Sequence, residues 1–375
     1  MVYQLALTPT VRLPVSIITG FLGSGKTTLL NRLLQEPAMA GAAVIINEFG
    51  EIGLDHLLVA TPNENTVLLA NGCICCTVRG DLVNTLRDLD KQRSQGDLPP
   101  FDRVLIETTG LADPVPIVQT VVTDEKLAPR YALDSVVTLV DAVNGSAQLD
   151  TQPESRKQAA IADRLLITKT DLAAPAVVQA LTARLVELNP GAELVTAVHG
   201  AVAPAVLFGA AIDAAARTAE VARWLREDEF VRIESRQRSH IAGAAAGAHD
   251  ARIQSYSIHL DEPISAAGLT AWLIALASLR GADLLRVKGI LNVEGAPVAV
   301  HAVQTLIHEP VTLARWPDAE RRSRLVFITR GMDRAAIEAT LDVLRWKSTF
   351  PAGTGVPKPD PQAYARFVAA MSKVH

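Results

Sequence analysis

Val15-Ser16-Ile17-Ile18-Thr19-Gly20-Phe21-Leu22-Gly23-Ser24-Gly25-Lys26-Thr27-Thr28 is the stretch that decides the fold. Its β-branched opening reads as a strand. Gly20 to Thr27 fits Gly-x4-Gly-Lys-[Ser/Thr], and a helix is expected from Lys26 to about Gln35. Strand, glycine loop and helix in that order form a cradle for phosphate. Gly20, Gly23 and Gly25 let the backbone curl so that its N–H groups face an anion. The helix N-terminus adds partial positive charge. Lys26 reaches β- and γ-phosphates, and the Thr27 hydroxyl ligates Mg²⁺. Gly20, Gly23, Ser24, Gly25, Lys26, Thr27 and Thr28 are therefore the expected nucleotide contacts.

Working outward, short apolar runs alternate with helical patterns. Ala43–Ile46, Thr66–Leu69, Val104–Ile106, Val136–Val140 and Arg164–Thr168 read as strands. Asp81–Asp90 and Pro175–Leu188 read as helices. Alternation of this kind predicts an α/β fold, a doubly wound and mostly parallel sheet. A helix is expected over Glu220–Glu229. Ser235–Gly247, rich in Gly, Ser and Ala, reads as a linker. A second unit with strands at Tyr256–Leu260, Leu284–Val287, Val298–Val303 and Leu325–Thr329 and helices at Leu269–Leu279 and Arg334–Leu344 predicts a smaller α+β domain. The expected division is 1–234, a linker over 235–250, and 251–375.

The chain has 375 residues, 49% of them hydrophobic and 20% charged, enough apolar material to exclude wholesale disorder. A net charge of −4 gives no electrostatic footprint for nucleic acid or an anionic membrane. No apolar run approaches the ~18 residues a bilayer span needs. Met1–Pro14 lacks the pattern of a signal peptide, so a cytoplasmic location is expected.

Phe101–Gly110 supplies a second nucleotide element. A strand ends in Glu107, which can hold Mg²⁺ through water, and Gly110 can offer its N–H to a γ-phosphate. Thr168-Lys169-Thr170-Asp171 follows another strand. A carboxylate at Asp171 accepts from guanine N1–H and its exocyclic amine, whereas adenine presents an acceptor there. Lys169 can lay its stem on the base. The segment favours GTP over ATP, with Thr168 standing where such motifs usually begin with Asn.

The only three cysteines are Cys73, Cys75 and Cys76. Three neighbours build no disulfide framework. Packing would not confine every thiol to four positions, and Cys-x-Cys or adjacent-Cys disulfides are strained. A soft or borderline metal such as Zn²⁺, Co²⁺ or Cu⁺ is the better reading, at a site left open by having fewer than four thiols. Glu48, Glu51 and Asp55 lie in an acidic segment after the second strand and can serve Mg²⁺ or the thiol-bound metal. In doubly wound sheets, ligands bind beyond the carboxyl ends of strands. The phosphate loop, the acidic segment, the thiols and Glu107 all follow strand ends, so they are expected along one edge.

Gly20–Leu30 (GFLGSGKTTLL), Asn47–Gly53 (NEFGEIG), Asn71–Leu82 (NGCICCTVRGDL) and Glu107–Pro114 (ETTGLADP) resemble the CobW-type P-loop GTPases, strongly over residues 14–210. Leu284–Leu291 (LLRVKGIL) extends the resemblance more weakly. It implies a GTP-dependent metallochaperone that loads zinc or cobalt at Cys73, Cys75 and Cys76, with Glu51 or water completing the shell, and releases it to a client metalloprotein. The rival readings are a metal sensor or buffer, an insertion factor for one enzyme such as a nitrile hydratase or cobalt chelatase, and a nucleotide kinase. Leu111 follows Gly110 where some GTPases carry a water-orienting Gln, so slow intrinsic turnover is expected. Many relatives carry a His-rich stretch. Here the linker has only His240 and His249, which read as solvated. His259, His301 and His308 read as structural or exposed, and Arg286 and Lys288 as a solvated face.

Overall fold

The computed structural model describes residues 12–47, 67–71, 78–211, 218–233, 253–279, 283–304, 306–332 and 334–345. The chain forms two compact units. The first holds Met1–Ala183 and Ala192–Ala211, the second Arg184–Gly191 and Ile212–His375.

In the first unit the strands are β1 (Leu13–Gly20), β2 (Ala42–Asn47), β3 (Val67–Asn71), β4 (Arg103–Glu107), β5 (Tyr131–Asp141), β6 (Arg164–Thr168) and β7 (Glu193–Ala197). They make one seven-stranded sheet in the order β3-β2-β4-β1-β5-β6-β7, and every pairing is parallel. The helices between them are α1 (Lys26–Leu33), α2 (Val78–Gln95), α3 (Val115–Thr123), α4 (Gly145–Thr151), α5 (Pro153–Ala160) and α6 (Pro175–Leu188), with the short α7 (Pro204–Leu207) after β7. Parallel strands covered on both faces read as unbroken apolar runs, which is why β1, β4 and β6 were visible in the sequence. Ile18, Val44, Leu105, Leu139 and Leu166 pack on Leu29, Leu30 and Leu33 of α1 in one core. α2 is tied in by Tyr131, whose hydroxyl donates to Leu86 O at 2.8 Å.

The second unit opens with α8 (Thr218–Leu225) and α9 (residues 227–233). The single helix expected over Glu220–Glu229 is in fact two. Arg226 takes a left-handed φ of 51° between them, and its Nε donates to Pro190 O at 3.1 Å. The expected linker at 235–250, with His240 and His249, lies outside the described residues. There follow β8 (Ile253–Leu260), α10 (Ala266–Leu279), β9 (Leu284–Val293), β10 (Ala296–Val303), β11 (Leu306–Ile307), β12 (Val311–Thr312), β13 (Ser323–Arg330) and α11 (Arg334–Leu341). The sheet is antiparallel in the order β11-β10-β9-β13-β8, with β12 on β10. Trp272 of α10 and Ile337 and Leu341 of α11 pack on Phe327, Val287 and Leu291 of the sheet.

The other face of β9 corrects the reading of Arg286 and Lys288 as solvated: both are buried. Lys288 Nζ donates to Trp224 O at 3.0 Å and lies 5.3 Å from the Trp224 ring centre. His301 meets the same ring edge-on and stacks on His308. Burial first, then the neighbouring His308, Arg286 and Lys288, holds the His301 pKa well below the usual histidine value. This histidine is structural. Among the described residues no helix is long and apolar enough to cross a membrane.

Candidate nucleotide site

Parallel register puts the strand ends of the first unit level with one another. Ile18 pairs with Glu107, Gly20 with Leu139, Asp141 with Thr168, and Thr168 with Ala197. The expected single edge is therefore present for every functional segment that the described residues include.

The phosphate loop leaves β1 at Gly20. Gly23 and Gly25 have φ of 74° and 94°, a region costly for side-chain-bearing residues. Gly20 is required for a second reason. A Cβ there would lie 2.5 Å from Leu139 O. Lys26 donates to Gly20 O at 2.9 Å and Phe21 O at 3.3 Å, so its ammonium spans the loop. The Ser24 hydroxyl is buried with no hydrogen-bond partner among the described residues. Such an orphan in a loop of inward-curling backbone fits a polar ligand. Thr28 is exposed on α1, one residue past Thr27.

Glu107 ends β4, and its Oε1 lies 3.4 Å from Thr27 Oγ1. Two oxygens this close can share one small, hard cation, Thr27 directly and Glu107 through water. Thr108 Oγ1 donates to Thr19 Oγ1 at 2.8 Å and ties the ends of β4 and β1 together. Gly110 rests directly on the phosphate loop. A Cβ on it would stand 2.6 Å from Leu22 N and 2.8 Å from Leu22 Cα, so no other residue fits without moving that backbone. The turn after Gly110 is held from α5. Gln158 Nε2 donates to Gly110 O at 3.2 Å and to Ala112 O at 2.9 Å, and Lys157 pairs with Asp113.

The segment after β6 is joined to the same loop. Thr168 Oγ1 donates to Ser24 O at 2.7 Å, across 144 residues of sequence. Thr168 thus makes a structural link to the phosphate loop through its hydroxyl. Lys169 has a left-handed φ of 55°, and its Nζ pairs with Asp141 Oδ2 at 2.8 Å. Burial pushes the Asp141 carboxyl up. Lys169, the Val143 N–H and the Asn144 side chain outweigh that and hold it below the usual carboxylate value. Asp171 is partly exposed, and its Oδ2 lies 3.9 Å from His199 Nε2.

Asp141, Gln158 and His199 were not singled out from the sequence. Asp141 ends a strand as Glu107 does, and that was the available signal. Cys73, Cys75, Cys76 and Glu51, read as metal ligands, lie outside the described residues, as do Glu48 and Asp55. The strands that lead to them are described: Asn47 pairs with Asn71 in register, and Ile46 with Glu107.

Residues 14–196 match the family described as CobW/HypB/UreG, nucleotide-binding domain, and residues 253–345 match the cobalamin synthesis protein cobW C-terminal domain. The zinc chaperone YjiA of Escherichia coli is 35% identical over 333 residues, 88% of this chain and 98% of that protein. The chain belongs to the CobW family. It is a P-loop GTPase. The zinc chaperone CobW of Pseudomonas aeruginosa is 31% identical over 361 residues, 87% of this chain and 90% of that protein. A crystal structure of Zn(II)-bound YjiA GTPase from E. coli superposes with a TM-score of 0.65 at 29% identity, covering 90% of this chain and 100% of that one.

Proposed function

We propose that this CobW-family GTPase is a cytoplasmic metallochaperone that loads a transition metal, zinc before cobalt, on Cys73, Cys75 and Cys76 and passes it to a client metalloprotein. Glu51 or water completes the metal's shell. Gly20, Gly23, Ser24, Gly25, Lys26, Thr27 and Thr28 bind the triphosphate, and Lys169 and Asp171 bind guanine, with Thr168 holding their segment to the phosphate loop. Thr27 and Glu107 hold Mg²⁺, which neutralises developing charge on the phosphates. Gly110 offers its N–H to the γ-phosphate.

One observation carries the coupling. β2 and β3 end side by side at Asn47 and Asn71, and β2 also pairs with β4 at Glu107. Both the acidic segment and the thiol segment therefore start from the edge where Glu107 meets Thr27. The relatives named as zinc chaperones support zinc as the cargo. GTP favours the metal-holding arrangement only by binding it more tightly than the releasing one.

The test is Zn²⁺ and Co²⁺ affinity by competition with a chromophoric chelator, in Mg-GTPγS, in Mg-GDP and without nucleotide. At least a tenfold gain with the GTP analogue is expected, a coupling of about 1.4 kcal/mol. A Cys73→Ser/Cys75→Ser/Cys76→Ser variant loses it. Affinity indifferent to nucleotide would replace this reading with a sensor or buffer. A tight complex with one client enzyme alone would narrow it to a dedicated insertion factor.

A further inference from the structure

The turn after β7 holds a non-glycine residue in the left-handed region. His199 and Gly200 have φ of 51° and 72°, and Ala201 N donates to Val198 O at 3.0 Å. Two left-handed residues closed by that bond have the features of a type I′ turn, which prefers Asn-Gly, Asp-Gly or Gly-Gly. The turn is also fixed in place. A Cβ on Gly200 would stand 3.0 Å from Leu29 Cα and from Thr28 O, so the turn sits against the first turns of α1. A histidine held in a left-handed turn, on a seat formed by the helix of the phosphate loop, invites a functional explanation.

Its surroundings supply one. The imidazole is 84% exposed, and Nε2 stands 3.9 Å from Asp171 Oδ2. That is too long for a hydrogen bond, so the two groups do not satisfy each other. A neutral imidazole can carry its proton on Nε2 and donate from there. The pair therefore presents an N–H donor beside a two-oxygen acceptor. Guanine offers the complement along one edge: the O6 acceptor, then the N1–H and N2 donors. Adenine offers an amine where O6 would be, which faces the imidazole N–H donor to donor.

We infer that His199 is a specificity-determining residue of the nucleotide site, donating from Nε2 to guanine O6 while Asp171 accepts from N1–H and N2. The inference rests on the reading of Asp171 as the guanine carboxylate. It is separable from that reading with four nucleotides. GDP carries O6 and the amine, IDP carries O6 alone, 2-aminopurine riboside diphosphate carries the amine alone, and ADP carries neither in that arrangement. His199→Gly keeps the left-handed turn without strain and removes the imidazole. Full-length protein and variants are titrated with each nucleotide, with thermal unfolding as the control for folding.

His199→Gly is expected to weaken GDP and IDP about five- to tenfold, the scale of one lost hydrogen bond. It leaves the 2-aminopurine nucleotide within about twofold. Unchanged GDP affinity, or equal weakening of all four nucleotides, overturns the role of His199. Asp171→Asn reports on the underlying reading. If it leaves the preference for GDP over ADP intact, the guanine carboxylate itself is misassigned and the inference falls with it.

Discussion

At the residue scale the site depends on charges whose partners are fixed by the fold. Asp141 is almost fully buried, and Lys169 Nζ, at 2.8 Å, is its one cationic partner among the described residues. Lys169→Met removes that cation and leaves the carboxylate with Val143 N and the Asn144 side chain. The expected cost is about 1–3 kcal/mol, since a half-exposed lysine is partly replaced by water. The sign of the pH dependence follows from the direction of the shift. Asp141 has a folded pKa below its ordinary 3.8. Its contribution is therefore present above that value and is lost as the pH falls through the folded pKa. In Lys169→Met, burial still pushes the carboxyl up while its main opponent is gone, so acid unfolding begins at higher pH. Denaturant melts across about pH 3 to 7 measure this, and an unshifted acid limb would refute it. Little of this was legible beforehand. The phosphate loop could be read because four fixed positions fall within eight residues. Lys169 and Asp141 are 28 residues apart, and only the alignment of β5 with β6 joins them.

At the scale of elements, α5 does more than cover the sheet. Gln158 is fully buried, and its amide donates to both Gly110 O and Ala112 O, 48 and 46 residues away. The turn that packs on Leu22 is thus positioned by a helix that itself carries none of the expected nucleotide contacts. Gln158→Leu strands two carbonyls and should cost about 1–3 kcal/mol of stability. Because the turn follows the strand of Glu107, the variant should also lower GTP turnover while GDP affinity holds within about twofold. Steady-state hydrolysis beside fluorescent GDP titration separates the two, and equal losses in both would mean Gln158 merely supports the fold. The elements themselves were largely legible. β6 and α6 fall on the residues expected for them, because a short apolar run and helical spacing are local signals. Two failures have tertiary causes. The break at Arg226 depends on a bond to Pro190 O. Arg286 and Lys288 looked solvated because charge in a strand usually is, yet Trp224 of α8 supplies Lys288 with a carbonyl and a ring face.

At the scale of the molecule the question is how a nucleotide at β1 reaches thiols that follow β3. In the order β3-β2-β4-β1, three strand spacings separate those ends, about 14 Å at ~4.8 Å each. That exceeds direct contact between strand ends, but each intervening strand carries a register link. Thr27 lies against Glu107, Glu107 pairs with Ile46, and Asn47 pairs with Asn71. If metal and nucleotide bias the same arrangement of this edge, linkage requires reciprocity. The factor by which Mg-GTPγS tightens Zn²⁺ is the factor by which Zn²⁺ tightens Mg-GTPγS. A tenfold effect in the metal titration therefore commits the nucleotide titration to tenfold, and to no change for the triple serine variant. Fluorescent GTP-analogue affinity measured with and without saturating Zn²⁺ closes the cycle. Unequal factors would mean that a second metal site is being titrated. A nucleotide effect that survives in the triple serine variant would move the metal off the thiols altogether.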